Sequence, residues 1–106
     1  MATWQASVKK PVIFTEIGYQ SCDYTAKAPG NFYGTVYNGQ AQANCYAAAL
    51  QVFANKPSFA GMFWWNWSPY PRVGGAGNTA YTLQNKPAQS ILTAYWNPPV
   101  DGPLPI

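Results

Sequence analysis

Apolar residues in this chain gather into two short runs and two periodic stretches. Val12-Ile13-Phe14-Thr15-Glu16-Ile17 is a nearly continuous β-branched and aromatic run, opened by Pro11 and followed by Gly18. That pattern predicts a strand covered on both faces, as in a parallel sheet. Phe59 to Trp67 repeats it and predicts a second strand. Residues 40–55, between the two, are alanine-rich, contain no Gly or Pro, and end at Lys56-Pro57. Tyr46, Ala49, Leu50 and Phe53 fall on one stripe of the helix this predicts. Pro87 suits the first turn of a last helix, running through Ala88, Ile91, Leu92, Tyr95 and Trp96. Trp4 to Lys10 reads as the end of a further helix lying upstream.

The predicted order is strand, loop, helix, strand, loop, helix, which describes parallel α/β units. The loops leaving the strands, residues 18–39 and 68–83, are long, whereas those leading into them are short. That asymmetry favours a barrel whose βα loops build a site at the carboxyl ends of the strands. Pro29-Gly30, Tyr33-Gly34 and Asn38-Gly39 mark turns in the first loop, and its aromatic content argues that it is ordered. Gly74-Gly75-Ala76-Gly77 in the second lacks the spacing of a phosphate-binding loop and reads as flexible linker. Residues 1–96 are expected to form one unit, and residues 97–106, with four prolines, a tail without regular structure.

Composition narrows the chemistry. The 106 residues carry six basic and three acidic side chains, a net charge of +3 that is never concentrated in more than two adjacent positions. Nucleic-acid binders cluster basic residues on one face, so no nucleic-acid partner is expected. The longest apolar runs are too short to span a bilayer, and Met1 to Gln5 lacks the basic region and apolar core of a leader. Histidine is absent, which removes histidine triads and imidazole metal sites. Cys22 and Cys45 match no metal spacing, so no metal or cofactor is expected; the pair allows either a disulfide or two free thiols.

Glu16 is the only glutamate, and it stands where the first strand meets Gly18. Trp64-Trp65-Asn66-Trp67 closes the second strand with a dense aromatic surface, and indole faces bind the C–H faces of sugars through apolar contact. Strand alternation puts Phe63, Trp65 and Trp67 on one face and Met62, Trp64 and Asn66 on the other. Trp65 is therefore the first choice for a sugar platform, with Trp67 beside it, while Trp64 reads as core. Asn66 and Tyr19 are candidates to hydrogen-bond sugar hydroxyls, although each equally suits a structural loop contact. Tyr24, Phe32, Tyr33 and Tyr37 could rim a groove or pack their own loop. Asp23, just past the strand, reads as a turn-capping carboxylate, and Asp101 as a solvated tail residue.

Lys10-Pro11-Val12-Ile13-Phe14-Thr15-Glu16-Ile17-Gly18-Tyr19, Gln42-Ala43-Asn44-Cys45-Tyr46, Gly61-Met62-Phe63-Trp64-Trp65-Asn66-Trp67 and Asn85-Lys86-Pro87-Ala88 occur in that order. Together they resemble the C-terminal quarter of family 113 glycoside hydrolases, retaining (β/α)8-barrel β-mannanases, over about residues 9–96. The resemblance implies a partial TIM barrel consisting of its last two βα units: strand 7, helix 7, strand 8 and helix 8. It implies that Glu16 is the catalytic nucleophile and that residues 64–67 line the sugar subsite at the scissile bond. It also implies a β-linked polysaccharide such as β-1,4-mannan as substrate and an extracellular or periplasmic setting. The acid/base glutamate of the family, on the fourth strand, has no counterpart here. The chain is thus expected to be inactive alone, and to need the missing barrel strands or self-association to fold. A catalytically inactive carbohydrate-binding remnant and a plain structural α/β fragment are the alternative readings.

Overall fold

The computed structural model describes residues 7, 9–30 and 34–97. The chain runs strand, helix, strand, helix: β1 (Val12–Ile17), α1 (Gly39–Phe53), β2 (Phe59–Trp64) and α2 (Pro87–Trp96). The strands pair in parallel as a two-stranded sheet, and α1 and α2 pack against each other. The predicted α/β units are present. Most of the helix expected over Trp4 to Lys10, the loop aromatics Phe32 and Tyr33, Asp101 and nearly all of the proline-rich tail lie outside the described residues.

Helix α1 begins one residue before its expected start because Asn38 caps it, its side-chain oxygen accepting from the Ala41 amide at 2.9 Å. Its buried face carries Tyr46, Ala49 and Leu50 as expected, together with Ala43 and the polar Gln42, while Phe53, expected on the same stripe, is only half-buried. The core comprises Ala43, Tyr46, Leu83 and Ala88, with Tyr19, Trp64, Ile91 and Leu92 packed on it. Trp64 and Tyr46 stack at 3.9 Å between ring centroids, which places Trp64 between sheet and helix. Phe14, Phe53 and Phe59 form a second aromatic group between sheet and helix, Phe14 meeting both others edge-on at 4.9 and 5.1 Å. Such pairs contribute about 0.5–1.5 kcal/mol beyond the area they bury.

Three expectations are corrected. The second strand ends at Trp64 rather than Trp67. Its partner β1 stops at Ile17, so the last cross-strand bond is the one from the Trp65 amide to the Ile17 carbonyl, at 2.6 Å. The strands are also not covered on both faces among the described residues. Phe14 and Trp64 face α1, while Ile13 and Phe63 are 49% and 64% exposed on the opposite, open face. The glycine run 74–77, read as linker, is tied in place: the Gly75 amide donates to the Gln84 carbonyl at 3.1 Å. Gly74 has φ of +83°, and a Cβ there would collide with the same carbonyl oxygen.

Candidate functional site

A register shift in β1 decides where Glu16 points. Phe14 pairs with Met62 and Ile17 with Trp64, so β1 advances three residues where β2 advances two. The extra residue is a bulge. Simple alternation from Phe14 would send Glu16 toward α1. Instead Thr15 and Glu16 are both exposed, and Ile17 resumes the covered face. The bulge thus delivers the carboxylate to the open face, at the carboxyl end of the strand.

Glu16 there lines a cleft of about 260 Å³ with Gly18, Pro29, Gly30, Trp65 and Tyr81. Trp65 is half exposed, and the peptide that follows it, to Asn66, is cis. Gly18 permits the close approach of the two strand ends, since a Cβ there would sit 2.6 Å from the Trp65 carbonyl oxygen. The Tyr81 hydroxyl donates to the Pro29 carbonyl at 2.6 Å and bridges the two βα loops. Burial pushes the Tyr81 phenol above its ordinary pKa, helped by its electrostatic coupling to Cys22 and by the negative charge of Glu16. It therefore stays protonated and able to donate at neutral pH.

Other candidate residues fall elsewhere. Trp67 is 60% exposed but lines a different, mostly apolar groove with Leu83, Leu92, Trp96, Gln89 and Thr93. Tyr19 packs on the core, where burial and, second, electrostatic coupling to Cys45 raise its pKa. Asn66 is half-buried. Asp23 accepts from the Asn38 side-chain amide at 2.9 Å and lines a separate pocket with Cys22, Thr25 and Val36. Tyr24 is exposed. Cys22 and Cys45 are free thiols, raised in pKa chiefly by burial. Among the described residues no group of histidine, cysteine or acidic side chains could hold a metal ion, and no helix is long and apolar enough to cross a membrane.

Tyr81 was not singled out from the sequence, because its loop reads as glycine-rich connection. The supports beneath the cleft were missed as well. Segment 20–23 turns back on itself and pairs with 36–38, the Asp23 amide donating to Val36 and the Asn38 amide to Ser21. Lys86, almost fully buried, donates from Nζ to Ser21 Oγ and Asn78 Oδ1, both at 2.8 Å, and to the Ala80 carbonyl at 3.2 Å. Burial pushes its pKa down to about 8. No periodicity or motif marks a lysine for burial.

The sequence model of Glycoside Hydrolase Family 113 matches residues 1–86. Among solved structures, a GH113 β-1,4-mannanase is 28% identical, covering 92% of this chain and 34% of its own, with a TM-score of 0.78. A complex of a GH113 β-1,4-mannanase aligns at 27% identity over the same shares, also with a TM-score of 0.78. The GH113 β-mannanase AaManA from Alicyclobacillus acidocaldarius, solved with ManMIm, is 26% identical, covering 86% of this chain and 30% of its own, with a TM-score of 0.75. The chain spans about a third of the length of these solved relatives. Among curated proteins none matches it.

Proposed function

The chain belongs to glycoside hydrolase family 113, and from that premise we propose that it supplies the last two βα units of a retaining β-mannanase barrel. Glu16 is the nucleophile of that enzyme and Trp65 its sugar platform. One observation carries the reading: a carboxylate re-aimed by a bulge shares a cleft with an exposed indole and a tyrosine at the carboxyl ends of two parallel strands. Retaining hydrolysis needs a second carboxyl group about 5–5.5 Å away to protonate the leaving oxygen. Asp23 is turned to Asn38 in another pocket, so that acid comes from barrel strands beyond these two. Glu16 attacks the anomeric carbon, the bond to the leaving oxygen breaks as the second carboxyl protonates it, and water then releases the glycosyl-enzyme. The substrate is a β-linked polysaccharide such as β-1,4-mannan.

Azide rescue tests the role of Glu16 in a form of the protein that contains the whole barrel. Glu16→Gly should lose turnover of an activated aryl β-mannoside by about a thousandfold or more, since covalent catalysis is removed. Added azide should restore cleavage and yield the α-mannosyl azide, because it attacks once, from the vacated face. Wild-type turnover in the variant, or a β-azide product, would remove Glu16 from the nucleophile's place.

The presence of a single carboxylate in the cleft favours a second reading for the chain on its own: it binds sugar without cleaving it. Saturable tryptophan-fluorescence changes with manno-oligosaccharides, without product, separate that reading from a fragment that takes no ligand.

A further inference from the structure

Two buried donors, neither of which lines the cleft, cross between the loops that do. Gln42 on α1 is fully buried, and its Nε2 donates to the Tyr19 carbonyl at 2.9 Å and the Tyr81 carbonyl at 3.1 Å, with the Thr82 carbonyl at 3.5 Å. Lys86 sits just before α2 and binds Ser21 on one loop and Asn78 and Ala80 on the other. Ser21 closes the knot: its backbone amide donates to Ala80 at 3.2 Å, and its hydroxyl lies 2.6 Å from the Asn78 carbonyl and 2.9 Å from that of Ala80. The stapled segments are 19–21 and 78–82. The first directly follows Gly18, and the second carries Tyr81, and both Gly18 and Tyr81 wall the Glu16 cleft.

Packing alone does not explain these side chains. A buried ammonium without a carboxylate costs several kcal/mol unless oxygens replace its water. An aliphatic side chain of similar length would fill the space without that cost. An oxygen-lined ammonium and a fully buried amide do what an aliphatic chain cannot, fixing the backbone carbonyls of two loops at set distances. We propose that Gln42 and Lys86 are positioning residues that staple segment 19–21 to segment 78–82 and thereby hold Tyr81 in place as a wall of the Glu16 cleft. The proposal rests on the reading of that cleft as the sugar site, and its test separates the two.

Lys86→Met and Gln42→Met keep side-chain length and remove the donors; Ser21→Ala, milder, removes one acceptor should either fail to fold. Amide hydrogen exchange across 19–22 and 78–82 should speed up by about tenfold, the equilibrium worth of one lost buried hydrogen bond, while the middle of α1 is unchanged. In the whole-barrel protein, after normalisation to active-site concentration, KM for manno-oligosaccharides should rise several-fold. A purely structural defect would lower the active fraction and leave KM alone. Unchanged exchange in these segments, or an unchanged KM with a reduced active fraction, overturns the staple. If the wild type cleaves no mannan, the sugar-site reading fails by itself, and exchange still decides whether the two loops are stapled.

Discussion

At the scale of single residues, the site depends on where one carboxylate and one ammonium are placed. Glu16 reaches the open face only because β1 carries an extra residue between Phe14 and Ile17. Lys86 presents the opposite case, a charge drawn inside and satisfied by oxygens. Its folded-state pKa of about 8 lies below the ordinary 10.5, so between those values the unfolded chain binds more protons than the folded one. Stability must then rise with pH across that window, and the contribution is flat below pH 8. Burial raises the folded pKa of Tyr19, Tyr46, Tyr81, Cys22 and Cys45, an opposing trend. The informative quantity is therefore the difference between wild type and Lys86→Met in urea midpoint, measured from pH 7 to 10.5. That difference should move in favour of the wild type as pH climbs through the window; a flat or falling difference would show that the ammonium is not buried at a cost.

At the scale of elements, the helices and strands were legible because their physics is local. Pro11, Lys56-Pro57 and Pro87 bound elements that the apolar periodicity fills, and three of the four elements begin where they are expected. Helix α1 starts a residue early through its cap. Asn38→Ala removes the bond to the Ala41 amide and the contact with Asp23, and is expected to cost about 1 kcal/mol, read as a lowered denaturation midpoint with unchanged slope. A cost near zero would mean that water caps the helix equally well. The register shift was not legible, because nothing in Phe14-Thr15-Glu16-Ile17 marks where an extra residue falls. Nor was the division of the aromatic run, in which Trp65 joins Glu16 while Trp67 turns to α2. Strand alternation applies only while the strand lasts, and β2 ends at Trp64. Tyr81 escaped notice, and Gln42 and Lys86 stood only as members of larger blocks, for a related reason: their roles depend in part on contacts as distant as those of Gln42 with Tyr81, 39 residues apart, and Lys86 with Ser21, 65 apart, which no local window contains.

At the scale of the whole molecule, the same open face that presents Glu16 also presents a liability. Each strand has one neighbour among the described residues, so the outer edges of both strands are unpaired among them, and Ile13 and Phe63 stand exposed. Unpaired edges recruit other strands, and an exposed apolar face draws other apolar surface to it. In a closed barrel the neighbouring strands would satisfy the edges, and the same side chains would fill the interior as layers. The 106-residue chain alone is therefore expected to self-associate, giving a broad or high-mass profile in size-exclusion chromatography with light scattering and a weakly cooperative melt. Phe63→Lys places a charge on the open face away from the Trp64–Tyr46 stack, so it should shift the isolated chain toward monomer. In a whole barrel the same charge would be buried, and the substitution should be strongly destabilising. Opposite responses to one substitution are what a barrel interior laid open predicts. A monodisperse, sharply melting monomer that is indifferent to Phe63→Lys would mean that the open face is ordinary surface, and Glu16 would then have no barrel mouth to serve.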